Sequence, residues 1–145
     1  MFEKGNLLKF KPFYFKNGAP AKDKFFVVLK NIDGKLVLAS LPTSKDHVPS
    51  FMTVQHGCIQ KPDAMINVFV FMAGEMVTDT FAFPLNTFIY ASDLDEYPVS
   101  EFSRQIESVE TEVEVIGKIK TDLYSELIDC LKSSSTLKRK YRKIL

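Results

Sequence analysis

Residues 24–47 read KFFVVLKNIDGKLVLASLPTSKDH, and this stretch decides the fold. Two apolar runs, 25–29 and 36–41, are rich in β-branched, aromatic and aliphatic residues that suit a pleated, largely buried surface. Between them stands Asp33-Gly34, a strong short-range hairpin signal, because glycine accepts positive φ without steric cost. The second run ends in Pro42, Thr43, Ser44, Lys45, Asp46 and His47. A rigid hairpin therefore leads into a loop carrying hydroxyl, ammonium, carboxylate and imidazole groups, the usual division between scaffold and site.

Outward from the hairpin the pattern stays β-rich. Residues 5–15, GNLLKFKPFYF, put Leu8 and Phe10 on one face and Lys9 and Lys11 on the other, with Pro12 marking an edge, an end or a bulge. Residues 16–23 form a polar loop. Residues 51–60 alternate weakly, and a short strand fits them. Residues 64–72, AMINVFVFM, are the most apolar segment and should form a central strand, with 76–83 pairing back as a hairpin. Residues 85–90 give no clear state, and acidic 93–102 reads as a loop around Pro98. In 108–119, Val109, Thr111, Val113 and Val115 alternate with Glu110, Glu112 and Glu114, a half-exposed strand whose charged face protects an edge. Thr121 is a good N-cap, and Leu123, Leu127 and Leu131 with Tyr124 and Ile128 form one apolar helical face, so a helix is expected over about 121–132. Residues 133–136 break it, and 137–145 read as a short basic helix.

A chain of 145 residues is one domain by length and can bury a real core. Its 13 phenylalanines and 46% hydrophobic content exclude a disordered chain. With 19 basic and 18 acidic residues the net charge is +1, so any nucleic-acid site must be a local patch. No apolar run approaches the roughly 20 residues of a membrane-spanning helix. Cys58 and Cys130 form no motif; a disulfide between them is the minor alternative to two free thiols, which in a chain without a signal peptide fit a reducing cytoplasm. The fold class expected is mainly β (α+β).

The N-terminal half carries a resemblance. Gly5 with GNLLKF, a polar loop, the FFVVL strand and a strand ending in Pro42-Thr43-Ser44 are similar to the PemK/Kid/MazF-type toxins, and VIGKIKTDLYSELIDCL resembles the family's terminal strand and helix. The resemblance implies one small SH3-like antiparallel barrel over 1–145 with a C-terminal helix packed on it; by composition, residues 136–145 are a basic C-terminal segment. It also implies toxin–antitoxin biology: metal-independent, cofactor-free cleavage of single-stranded RNA, an antitoxin partner, a homodimer, and no membrane. Such cleavage through the RNA's own 2′-hydroxyl needs a base, an acid and a cation or donors on the phosphate.

On these grounds Lys24, Thr43, Ser44 and His47 are the candidate catalytic residues, and Lys22 and Lys45 the RNA-binding cations. The match departs at Lys24, where the family places an arginine. An ammonium lacks the bidentate fork that suits phosphate, and its ordinary pKa is too high for a ready base. The departure favours the alternative reading, a catalytically silent module that binds a protein or nucleic-acid partner. Ser, Thr and Asp in 42–47 equally suit a plain surface loop. His56 and Cys58 have metal-like spacing but no second pair, so no metal is expected. Glu110, Glu112 and Glu114 suit a cation or an arginine-rich partner, with a solvated strand face as the simpler reading. The phenylalanines are mostly core, and the basic run at 138–143 suits phosphate contacts or a helix C-terminus equally.

Overall fold

The hairpin forms where its sequence places it. In the computed structural model, which describes residues 1–15, 17–41, 55–61, 66–108 and 110–145, β2 (Lys22–Ile32) pairs antiparallel with β3 (Lys35–Leu41), Ile32 opposite Lys35. Asp33 and Gly34 both take positive φ, 49° and 84°, which gives the two-residue turn whose twist matches that of the flanking strands. The Asn31 side-chain oxygen accepts the Gly34 N–H at 3.2 Å.

The other elements are β1 (Asn6–Phe13), β4 (Gly57–Lys61), β5 (Ile66–Phe71), β6 (Thr87–Tyr90), β7 (Leu94–Pro98), α1 (Val99–Glu107), β8 (Glu112–Lys118), α2 (Thr121–Lys132) and α3 (Arg139–Ile144). They build a five-stranded sheet ordered β7-β3-β2-β1-β8 and a three-stranded sheet ordered β4-β5-β6, with antiparallel pairing throughout. The protein is mainly β with late helices, as expected. Among the described residues the sheets are not closed into a barrel.

The larger sheet is buried on both faces. Leu7, Val27, Leu29, Val37 and Ala39 face a core shared with Phe69 and Phe71 of β5, Leu123 and Leu127 of α2, and Tyr141 of α3. Leu8, Phe10, Phe26, Val28, Leu36 and Leu38 face an aromatic core that includes Phe13, Tyr97 and Phe102. This explains why 25–29 and 36–39 are continuous apolar runs and not alternating ones: successive side chains enter a core on either face. The register with β3 shifts between Val28 and Lys30, where Leu29 is the extra residue of a bulge and lies in the first core with Val27. The Leu29 carbonyl accepts the Tyr124 hydroxyl of α2 at 2.7 Å. The β1 register also shifts between Phe10 and Phe13, around Pro12.

Several local expectations are corrected. The acidic stretch 93–102 is not a loop: it supplies β7 and the first half of α1. Residues 76–83 do not pair back on β5. They fold on themselves through one Met76–Ala82 bridge, with the Thr78 hydroxyl accepting the N–H groups of Thr80 and Phe81, while β5 lies between β4 and β6. The strand expected over 108–119 is β8 alone. Val113 enters the aromatic core opposite Phe10, but Val115 is 43% exposed at the sheet edge, where a strand has a neighbour on one side only. A register shift between Leu7 and Leu8 turns Ile116 to the first core instead. Val109 lies outside the described residues. Thr121 opens α2 as its first helical residue, and Lys120 occupies the cap position. No helix among the described residues is long and apolar enough to cross a membrane.

The reading of two free thiols is also overturned. Cys58 on β4 and Cys130 on α2 form a disulfide, their Cα atoms 5.6 Å apart. The helix lies against β4 and β5, and this packing, invisible to sequence spacing, brings together residues 72 apart. The bridge removes the free thiols on which the expectation of a reducing compartment rested. For a loop of that length the chain-entropy model gives about 4 kcal/mol of stabilisation. Reduction by a dithiol, or Cys58→Ser at the more exposed end, should therefore lower the unfolding free energy by roughly 2–4 kcal/mol in urea titrations. An unchanged midpoint would show that the bridge does not constrain the chain.

Candidate functional site

The described candidates, Lys22 and Lys24, sit on β2, two residues apart and so on one face. Phe26, next on that face, enters the aromatic core, while Lys24 is half-buried and Lys22 exposed. Burial, and then the Lys22 charge, pull the Lys24 ammonium below its ordinary pKa; the Asp93 carboxylate opposes them. The Lys22 Nζ lies 5.9 Å from the centre of the Phe15 ring. The strand pairing sets Leu41 opposite Phe25, the residue next to Lys24. Thr43, Ser44, Lys45 and His47 lie outside the described residues.

The remaining sequence candidates resolve simply. His56 Nδ1 accepts the Met72 N–H at 3.4 Å, and its ring lies 6.3 Å from that of Phe69. Cys58 is committed to the disulfide, and no group of three metal-ligating side chains occurs among the described residues. Glu114 pairs with Lys11 at 3.4 Å, an exposed contact of little energetic weight. Phe13, Phe69, Phe71 and Phe83 are buried. In the basic run, Arg142 donates to the Ser134 carbonyl and Lys140 pairs with Glu96 at 3.0 Å.

A different part of the molecule holds a built hollow. A groove of about 630 Å³ runs between Tyr14 and Phe15, the end of β7 (Glu96, Tyr97 and Pro98) and α1 with its exit. A smaller hollow of about 210 Å³, beside Asp93 and Asp95, shares Phe15 and Tyr97 with it. The groove owes its shape to α1. Phe102 packs against Phe10 with ring centres 5.0 Å apart and stacks on Tyr97 at 5.1 Å, fixing the helix to the sheet. Three residues on, Gln105 is buried. Its amide accepts the Tyr14 N–H at 3.1 Å and donates to the Tyr14 carbonyl at 2.9 Å, as a neighbouring strand would. Tyr14 and Phe15 are thereby held at the groove wall without a strand beside them. The Thr111 hydroxyl adds a bond to the Pro12 carbonyl at 3.3 Å.

The charges around the groove are arranged in pairs of different kinds. Arg104 forms an ion pair with Glu101. Glu96 takes Lys140 at 3.0 Å and Lys35 at 3.5 Å, and the Lys140 hydrogen bond leads in holding its carboxyl below the usual range. The Tyr14 hydroxyl donates to Glu110 at 3.0 Å, and that bond is the first cause of its raised pKa. Burial, with Asp95 and Glu101 adding to it, pushes the Tyr97 phenol up to about 12. The arrangement offers rings, carboxylates and one guanidinium around a preformed space, which suits binding of a mixed polar and apolar ligand.

Gln105 and Tyr14 do not stand out in the sequence, because the loop expected over 93–102 hides the start of α1, the helix that carries Gln105 to Tyr14. The signal was present: Val99, Phe102 and Ile106 follow Pro98 at helical spacing. No family model, curated protein or solved structure matches this chain.

The Tyr97 phenol gives a pH test. Its folded pKa lies above the ordinary 10, so its contribution is intact below pH 10 and is lost as pH rises toward about 12. Across that window the native protein should lose roughly 2–3 kcal/mol more stability than Tyr97→Phe, measured by denaturant titration at each pH. Parallel profiles for the two proteins would show that the buried phenol does not report on folding.

Proposed function

We propose that this chain is a binding module that holds a segment of a partner protein in the groove between Tyr14–Phe15, β7 and α1. The observation that carries the reading is that the groove is prebuilt. Phe102 locks α1 to the aromatic core, and Gln105 fixes the Tyr14 backbone with two hydrogen bonds. A wall that is already ordered loses little conformational freedom when a ligand arrives. At about 630 Å³ the space is of the size that holds a few side chains.

A second reading keeps the likeness to PemK/MazF-type toxins: a protein acting on, or descended from proteins acting on, single-stranded RNA, with an antitoxin and a second copy as partners. It is favoured by Lys22 and Lys24 on one face of β2, with the Lys22 ammonium over the Phe15 ring. Two cations and a ring suit a phosphate and a base. Lys24 lacks the arginine fork, so this reading expects RNA binding with weak cleavage or none.

One selection separates the two. Random peptide and single-stranded RNA libraries are passed over the protein, and the survivors are mapped by amide chemical-shift changes. The module reading expects peptides to be retained and to move Tyr14, Phe15, Tyr97 and Gln105, with Gln105→Leu losing them. The RNA reading expects oligonucleotides that bind more weakly as salt rises and that lose affinity about tenfold in Lys24→Ala. Peptides that bind outside the groove, or that survive Gln105→Leu unchanged, contradict the module. RNA that fails to bind at low salt ends the second reading.

A further inference from the structure

The charges of the groove point to one kind of occupant. Among the described residues, five carboxylates line the two neighbouring hollows (Asp93, Asp95, Glu96, Glu101 and Glu110), and Arg104 is the cationic residue of that described lining. Glu101 is answered by Arg104, and Glu96 by Lys35 and Lys140. Glu110 is different. Among the described residues its carboxylate meets the Tyr14 hydroxyl, a neutral donor that leaves the negative charge uncompensated. The Phe15 ring, shared by both hollows, already carries the Lys22 ammonium 5.9 Å from its centre, so a cation over an aromatic face is an arrangement this wall supports.

We infer that the groove takes the arginine side chain of an extended segment of a partner protein, with the guanidinium against Glu110 and the rings of Tyr14 and Phe15. The inference rests on the reading of the groove as the module's binding site. An acidic or phosphorylated segment would bring negative charge against the Glu110 carboxylate. A purely apolar one would strip water from Glu110 without replacing it. A guanidinium meets both demands, because its planar fork hydrogen-bonds a carboxylate while its face stacks on a ring. Arg104 is then the groove's internal competitor, since it brings positive charge next to the incoming one.

The test uses a capped hexapeptide with one central arginine and its twin with citrulline, which keeps the shape and removes the charge. Calorimetry and amide shifts are followed on the full chain. The arginine peptide should bind about tenfold more tightly than the citrulline peptide, weaken as salt rises, and move the Tyr14, Phe15 and Glu110 amides. Glu110→Gln, at an exposed position, should erase most of that preference while leaving the thermal midpoint in place. Arg104→Ala should strengthen arginine binding a few-fold, which a structural role for Arg104 would not do. Equal binding of the two peptides in the groove overturns the inference and leaves the module reading standing. Binding of neither also overturns it, and the unbiased peptide selection then decides whether the groove binds any segment at all.

Discussion

Burial of the five-stranded sheet on both faces is the constraint on which the rest of the molecule depends. Leu36, Val37, Leu38 and Ala39 are consecutive, and each is no more than 1% exposed. Such a run is stable only if a core lies on either side of the sheet. The sequence therefore commits the chain to supply two sets of covering elements. α2, α3 and the small sheet close one face, and α1 with the Phe13 region closes the other. Each fully buried side chain of this size contributes about 1.5–3 kcal/mol relative to exposure, so neither cover is dispensable.

The groove follows from how the second face is covered. One short helix with a single deep anchor, Phe102, does not cover the sheet from edge to edge. The space beside it is bounded by the Tyr14–Phe15 segment, which has left β1 after the Pro12 irregularity and needs a partner for its backbone groups. Gln105 supplies that partner. A core residue and a buried amide, three apart on one helix, thus produce an ordered concave wall. The other cover is reinforced by the Cys58–Cys130 bridge, which ties the small sheet to α2.

Much of this was legible in the residues. The Asp33-Gly34 turn, the central apolar strand and α2 could be read because each rests on local chemistry: a positive-φ dipeptide, a continuous apolar run, a leucine stripe. Two features could not, and the signal of a third was masked. The pairing of Cys58 with Cys130 depends on how α2 lies on the small sheet. The exposure of Val115 depends on a register shift and a sheet edge, which period-two alternation does not reveal. In 93–102 the acidic residues masked a strand and a helix whose apolar positions face inward. The groove was hidden for the same reason, since its central polar residue, Gln105, does its work against a backbone 91 residues away. Glu110 was recognised as a candidate for a cationic partner, but the residues that surround it were not.

Native-state hydrogen exchange tests the central claim most directly. If the two-faced sheet is the last structure to open, the amides of Val27, Val28, Leu38 and Ala39 should exchange only through global unfolding, with the free energy found by denaturant titration. Amides of β4 and β6 should exchange through smaller openings, and more readily still when the disulfide is reduced. Exchange of the β2–β3 amides at a lower free energy than those of β4–β6 would contradict the account, because the small sheet would then be the element on which the fold depends.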